Sequence, residues 1–166
     1  MKIAIVGGGP SGLYTAILVK KRRPSWQVSV IEQNVADSTF GFGVVLADSG
    51  LARIQAADAD VYEKLIAKMT FTGCQTINLK EQPIDINHPS KGGAIARIDL
   101  LNVLQDTAAK AGVDVRFGQR ISHPDDLVSL GLDDADVVIG ADGVNSVVRA
   151  AHEEAFGTTK TFLTNH

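Results

Sequence analysis

Three short runs rich in apolar residues give this chain its first structural signal. Ile3 to Val6 is a β-branched run that ends in Gly7-Gly8-Gly9, Gln27 to Ile31 is a second that ends at Glu32, and Asp136 to Ile139 leads into Gly140-Ala141-Asp142-Gly143. The first and third predict buried strands, the first buried on both faces, and the second predicts a strand rich in Val and Ile. Between the first two, Leu13, Ile17 and Leu18 recur at helical spacing from Ser11 to Arg23, and Pro24 stops the pattern. Strand, glycine turn, helix and strand make a βαβ unit, with parallel strands and a right-handed crossover.

The middle of the chain is patterned less regularly. Asn34 to Ala47 reads as an irregular stretch containing Gly41 and Gly43, followed by a helical pattern from Asp48 through Met69 that Asp58 and Asp60 interrupt or re-cap. From Thr70 to Ile86, the residues Phe71, Thr76, Ile77, Leu79 and Ile84 suggest strands around a turn at Lys80 to Pro83, and Pro89 to Gly93 reads as another loop. A small inserted antiparallel β piece is therefore expected at about residues 70–96. Asp99 is placed to cap a helix carrying Leu100, Leu101, Leu104 and Ala108, which Gly112 ends in the left-handed conformation. Val113 to Phe117 returns as a strand, and a last short helix is expected from about Asn145. The pattern predicts one α/β domain over residues 1–166 with a parallel sheet, and shows no internal repeat or long linker.

Composition narrows the classes of partner. A chain of 166 residues that is 45% hydrophobic and 21% charged can bury one globular core. Its formal charge of −3 leaves no basic footprint for nucleic acid or an anionic membrane surface. The opening Met1-Lys2-Ile3-Ala4-Ile5-Val6 runs straight into glycines, which argues against a signal peptide, and no stretch is long enough to span a membrane. Cys74 is the single cysteine and reads as a small buried hydrophobe; with no Cys/His cluster at metal-binding spacing, a reducing cytoplasmic setting is expected and no metal. His88, His123, His152 and His166 are scattered and read as solvated side chains.

The chemistry concentrates at the ends of the apolar runs. Gly7-Gly8-Gly9-Pro10-Ser11-Gly12 fits G-x-G-x-x-G between a predicted strand and a predicted helix. In that setting Gly7 permits the tight turn, Gly9 lets the backbone approach a pyrophosphate and Gly12 lets the helix pack on the sheet, while N–H groups at the helix start meet phosphate charge. The alternative is a purely structural glycine turn. Against it, Glu32 stands twenty residues beyond Gly12, where a carboxylate accepts ribose hydroxyl hydrogens and disfavours a 2′-phosphate, so FAD or NAD is expected rather than NADP. Asp142-Gly143 falls at the carboxyl end of the third apolar run, the edge at which parallel sheets bind ligands; read by itself it is equally a plain turn, with Arg149 a solvated helix residue. Ser11 and Ser146 sit near predicted helix starts, where a hydroxyl caps or touches phosphate rather than attacking a substrate.

Taken together, the glycine fingerprint, Glu32 and the segment from Gly140 to Arg149 resemble the flavoprotein aromatic hydroxylases of the para-hydroxybenzoate hydroxylase type. The resemblance implies a Rossmann-like FAD-binding fold. It further implies that Asp142 and Gly143 belong to a DG motif that helps hold the FAD pyrophosphate, with Arg149 as the motif's closing arginine. Thr39 to Asp48 is similar to a loop of the salicylyl-CoA and 2-aminobenzoyl-CoA hydroxylase branch that lies along the flavin, which makes Gly43, Val44 and Val45 candidates for backbone contact; the alternative is an ordinary buried loop. Arg97 matches an arginine near the ribityl and pyrophosphate part of the cofactor, although an arginine before a helix is often only a surface residue.

The implied activity is oxygen transfer from O2 to an aromatic substrate, with NADH or NADPH as electron donor. A coenzyme A ester as substrate rests on the one loop. Family members carry a later Gly-Asp motif and a substrate domain that nothing after Arg149 supplies, so the expectation is the N-terminal portion, with self-association through uncovered apolar surface and catalytic residues left unassigned. A flavin-linked dehydrogenase, reductase or halogenase, and a non-catalytic dinucleotide-binding module, are the alternatives on the same fold.

Overall fold

The first apolar run becomes β1 (Lys2–Val6), whose Ile3, Ala4, Ile5 and Val6 are all buried. The turn after it leads into α1 (Pro10–Arg22), which starts on a proline whose missing N–H costs nothing there and ends on Lys20, Lys21 and Arg22, the charge that suits a helix C-terminus. Gly12, Leu13, Ala16 and Ile17 form its buried face. β2 (Gln27–Ile31) then pairs parallel with β1, as the βαβ pattern predicts. The computed structural model describes residues 1–71, 74–79, 82–87 and 92–157, and the chain divides into two compact units, one of Met1–Ala36 with Ala108–His166 and one of Asp37–Thr107.

The unit of Asp37–Thr107 contains β3 (Gly43–Leu46), α2 (Asp48–Ala57), α3 (Ala59–Ile66), β4 (Thr70–Phe71), β5 (Cys74–Leu79), β6 (Gln82–Asn87), β7 (Gly93–Ala96) and most of α4 (Arg97–Ala111). Asp58 separates the two helices as expected: its carboxylate accepts the N–H of Val61 at 3.2 Å and caps α3, whose Val61 and Leu65 are buried. β7 pairs antiparallel with both β3 and β4, and β5 with β6 in a ribbon.

Three details differ from the sequence reading. Val44 to Leu46 form a strand rather than part of an irregular stretch, because Gly93 to Ile95 supply the partner. Pro83 lies inside β6 instead of in the turn; in a two-stranded ribbon every strand is an edge, so its missing N–H breaks no ladder. α4 starts at Arg97, directly after β7, so Asp99 is an acid in the first turn rather than the cap. Gly112 does follow the helix with φ +81°. The Cys74 side chain, Lys80 and the rest of its turn, His88, Pro89 to Lys91 and the tail from Thr158 to His166 lie outside the described residues.

The chain then returns to the first unit with β8 (Asp114–Arg116), α5 (Asp126–Ser129), β9 (Val137–Gly140), α6 (Val147–Ala151) and α7 (Glu153–Phe156). The parallel sheet has the order β8-β2-β1-β9. Ala4, Val6 and Ile31 pack in one cluster with Ile121, Leu127, Leu132 and Val148. The stretch before α5 is held by Asp126, whose carboxylate accepts the N–H of Ser122 at 2.8 Å and of His123 at 3.1 Å. These backbone bonds, that of Ser122 first, hold its pKa below the ordinary 3.8. The folded pKa lies below the unfolded one, so the associated stability is present above about pH 4 and is lost as pH falls through the folded value. Asp126→Asn is expected to flatten that part of the acid response; melting curves at a series of pH values that run parallel to wild type would remove this role.

Candidate functional site: a glycine cradle at the sheet edge

The carboxyl ends of β1, β2 and β9 meet in one place, and glycines make the meeting possible. Gly7 donates to Ile31 O at 2.8 Å and then turns with φ +109°; a Cβ on it would sit 2.3 Å from Ala141 O. A Cβ on Gly12 would sit 2.0 Å from Gly7 O and 3.3 Å from the Ala141 side chain, so α1 enters against the turn itself. Gly9 is different, since a Cβ there meets nothing within 4 Å. Open space at that point borders the start of α1, which no side chain caps; Pro10 is the first helical residue and the exposed Ser11 the second. Uncapped N–H groups and the positive end of the helix dipole favour an anion there.

Glu32 closes one side. Its Oε2 accepts the N–H of Gly8 at 2.7 Å, and its Oε1 accepts the N–H and the Nδ2 of Asn34 at 2.9 and 2.6 Å. The fingerprint leaves the position of Gly8 unspecified, yet a Cβ on it would lie 2.7 Å from Glu32 Cβ. Three glycines in a row, where the fingerprint requires two, were the available signal.

On the other side stands the Asp142-Gly143 turn, with Gly143 at φ +84°. Asp142 Oδ2 accepts the N–H of Val147 at 2.7 Å and, more distantly, of Val148 at 3.4 Å, while Oδ1 is buried with no partner among the described residues. Ser146 caps α6 as expected, accepting from the Arg149 N–H at 3.0 Å. The Arg149 guanidinium donates to Val144 O, which ties the motif's arginine back to its own turn. A buried acceptor left without a donor costs about 1–3 kcal/mol. That vacancy fits a ligand rich in hydroxyl groups, as the open space at Gly9 fits its phosphates.

Gly43, Val44, Val45 and Arg97 belong to the other unit. The first three are in β3, so neither the loop nor the buried-loop reading holds: Val45 is 78% exposed, as the strand's outward side chain. Arg97 donates its backbone N–H to Phe42 O at 3.1 Å, and its Nε is buried without a partner among the described residues. His123 Nδ1 accepts the N–H of Asp125 at 3.3 Å and His152 stacks edge-on with Phe156, both on the surface. Among the described residues, no group of three or more His, Cys, Asp or Glu side chains could hold a metal, and no helix is long and apolar enough to cross a membrane.

A parallel sheet whose strand ends carry a glycine turn at a helix start, a carboxylate on the second strand and an acidic turn on a third defines a dinucleotide-binding α/β protein. The chain belongs to the FAD-binding domain family, which matches residues 1–165, and FAD is its cofactor. It is 36% identical over 159 residues to a salicyloyl-CoA 5-hydroxylase of a Streptomyces species, covering 96% of this chain and 30% of that protein. It is 30% identical to a 3-hydroxy-4-methyl-anthranilyl-(aryl-carrier protein) 5-monooxygenase of Streptosporangium sibiricum, covering 96% and 43%. The chain thus spans less than half the length of these relatives. Among solved structures, the tetrameric 2-methyl-3-hydroxypyridine-5-carboxylic acid oxygenase shares the fold, with a TM-score of 0.77 at 23% identity over 90% of this chain and 41% of that one.

Proposed function

We propose that this chain is the FAD-holding portion of an NADH- or NADPH-dependent monooxygenase that hydroxylates an aromatic ring, with an aromatic acyl-CoA as the finer reading of the substrate. The kinship with the salicyloyl-CoA hydroxylase over nearly the whole chain carries this reading. Bound here, FAD would supply the redox chemistry with O2 that oxygen transfer to an electron-rich ring requires. The residues of this chain bind and orient. Gly7, Gly9, Pro10, Ser11 and Gly12 receive the pyrophosphate at the start of α1, and Glu32 accepts the adenosine ribose hydroxyls. Asp142 is an acceptor only, so its Oδ1 takes a hydroxyl hydrogen or a bridging water of the cofactor, with Gly143 shaping the turn and Arg149 bracing it. On their own unit, Gly43, Val44 and Val45 offer strand backbone and Arg97 a guanidinium for further cofactor contacts.

The remaining partners follow from this reading: a small aromatic substrate, O2, a cytoplasmic setting, and self-association through apolar side chains such as Val137, Val138 and Val144 that stand partly or wholly exposed. Titration of the purified chain with FAD is expected to give saturable shifts of the flavin absorption bands, and Glu32→Ala to weaken binding about tenfold, the value of one hydrogen bond to a charged group. A folded chain that binds NAD but not FAD would overturn the proposal.

A further inference from the structure

We infer that Asn34 is a positioning residue that sets the ribose selectivity of the site by locking the Glu32 carboxylate in place. The inference rests on the proposed role of Glu32 toward the adenosine ribose. Glu32 lies beyond the end of β2, where a glutamate side chain ordinarily samples several rotamers. Here it has none to spare. Oε2 is drawn to the Gly8 N–H at 2.7 Å, and Oε1 receives two donors from one residue, the backbone N–H of Asn34 at 2.9 Å and its Nδ2 at 2.6 Å.

Asn34 is itself anchored from a different part of the chain. Its carbonyl accepts the N–H of Gly118 at 2.9 Å, the Glu32 carbonyl accepts the N–H of Gln119 at 2.9 Å, and the Glu32 N–H donates to Arg116 O at 2.9 Å. Backbone pairing between β2 and β8 thus continues past both strands and fixes the donor that fixes the carboxylate. Each carboxylate oxygen has two lone-pair directions, so these bonds fill Oε1 and leave one acceptor position, on Oε2, for a ribose hydroxyl. Oriented this way, the carboxylate meets hydroxyl donors well and repels a 2′-phosphate, which is ionised and offers no donor in their place. A carboxylate free to swing aside would do neither as well.

The experiment is a double-mutant cycle on the whole chain, with FAD affinity read by flavin fluorescence and with ADP and adenosine 2′,5′-bisphosphate as competitors. Asn34→Ala is expected to weaken FAD binding about fivefold and to narrow the preference for ADP over the bisphosphate, since the lost donor served a charged acceptor. Adding Asn34→Ala to Glu32→Ala is expected to change nothing further. Asn34→Ser, which keeps a short donor, should restore part of the preference. Equal preference ratios in wild type and Asn34→Ala, or losses that simply add in the double variant, would overturn the inference, and so would a melting temperature lowered in Asn34→Ala with the ratio unmoved. Failure of the wild-type chain to bind FAD at all would instead strike the proposed function, so the two failures are distinct.

Discussion

Gly12→Ala is expected to lower the stability of the parallel-sheet unit by about 3 kcal/mol or more, whereas Gly9→Ala leaves stability within about 0.5 kcal/mol and weakens FAD binding at least about a hundredfold. The contrast comes from what each new methyl group meets. At Gly12 it would lie 2.0 Å from Gly7 O, a backbone atom that cannot step aside without dragging β1 and the start of α1 with it. Gly7→Ala should resemble Gly12→Ala, because 2.3 Å to Ala141 O is combined with φ +109°, which an L side chain rarely adopts. At Gly9 the methyl enters open space within the fold, so its only cost is to whatever occupies that space. Denaturant titration and FAD titration of the same three variants separate the effects. A Gly9→Ala chain that binds FAD like wild type would remove the phosphate from the start of α1, and an undisturbed Gly12→Ala chain would contradict the packing.

The parts of this design legible in the sequence are those written in consecutive residues. β1, α1 and β2 follow from apolar runs on either side of a 3.6-residue period, punctuated by Gly7 and Pro24. β9 and the Asp142 turn were legible as a strand and a turn, but β9 ends the strand order and is largely exposed rather than buried on both faces. β3 was not, because Gly43 pairs with Ala96 across more than fifty residues and the four-residue run from Gly43 carries too little pattern to announce a strand alone. Asn34 escaped notice because its importance is a hydrogen bond to Glu32 and an anchorage to Gly118, and neither can be read from an asparagine after an acidic residue. The sequence does not say that a Cβ on Gly7 or Gly12 would strike backbone while one on Gly9 would meet nothing within 4 Å. At Gly7 the clash is with Ala141, which arrives from the far end of the chain, and at Gly12 it is with the Gly7 carbonyl that the turn directs at the helix.

Asp142 joins fold and ligand in one carboxylate, and two substitutions are expected to pull them apart. Asp142→Ala removes the acceptor for the Val147 N–H at 2.7 Å and leaves the start of α6 to Ser146 alone, at a cost of about 1–2 kcal/mol, the usual value of a lost N-terminal cap. The same change deletes the buried Oδ1 and should weaken FAD binding about a hundredfold. Asp142→Asn keeps an oxygen for Val147 but puts an amide donor where an acceptor had none of its needs met, so stability should remain near wild type while FAD affinity falls about as far as in the alanine variant. A ligand hydroxyl or bridging water can give a hydrogen to Oδ1, whereas an NH2 group in that position competes with it. If Asp142→Asn instead binds FAD as tightly as wild type, the carboxylate serves only to start α6, and the vacancy at Oδ1 is a defect of packing that the cofactor does not fill.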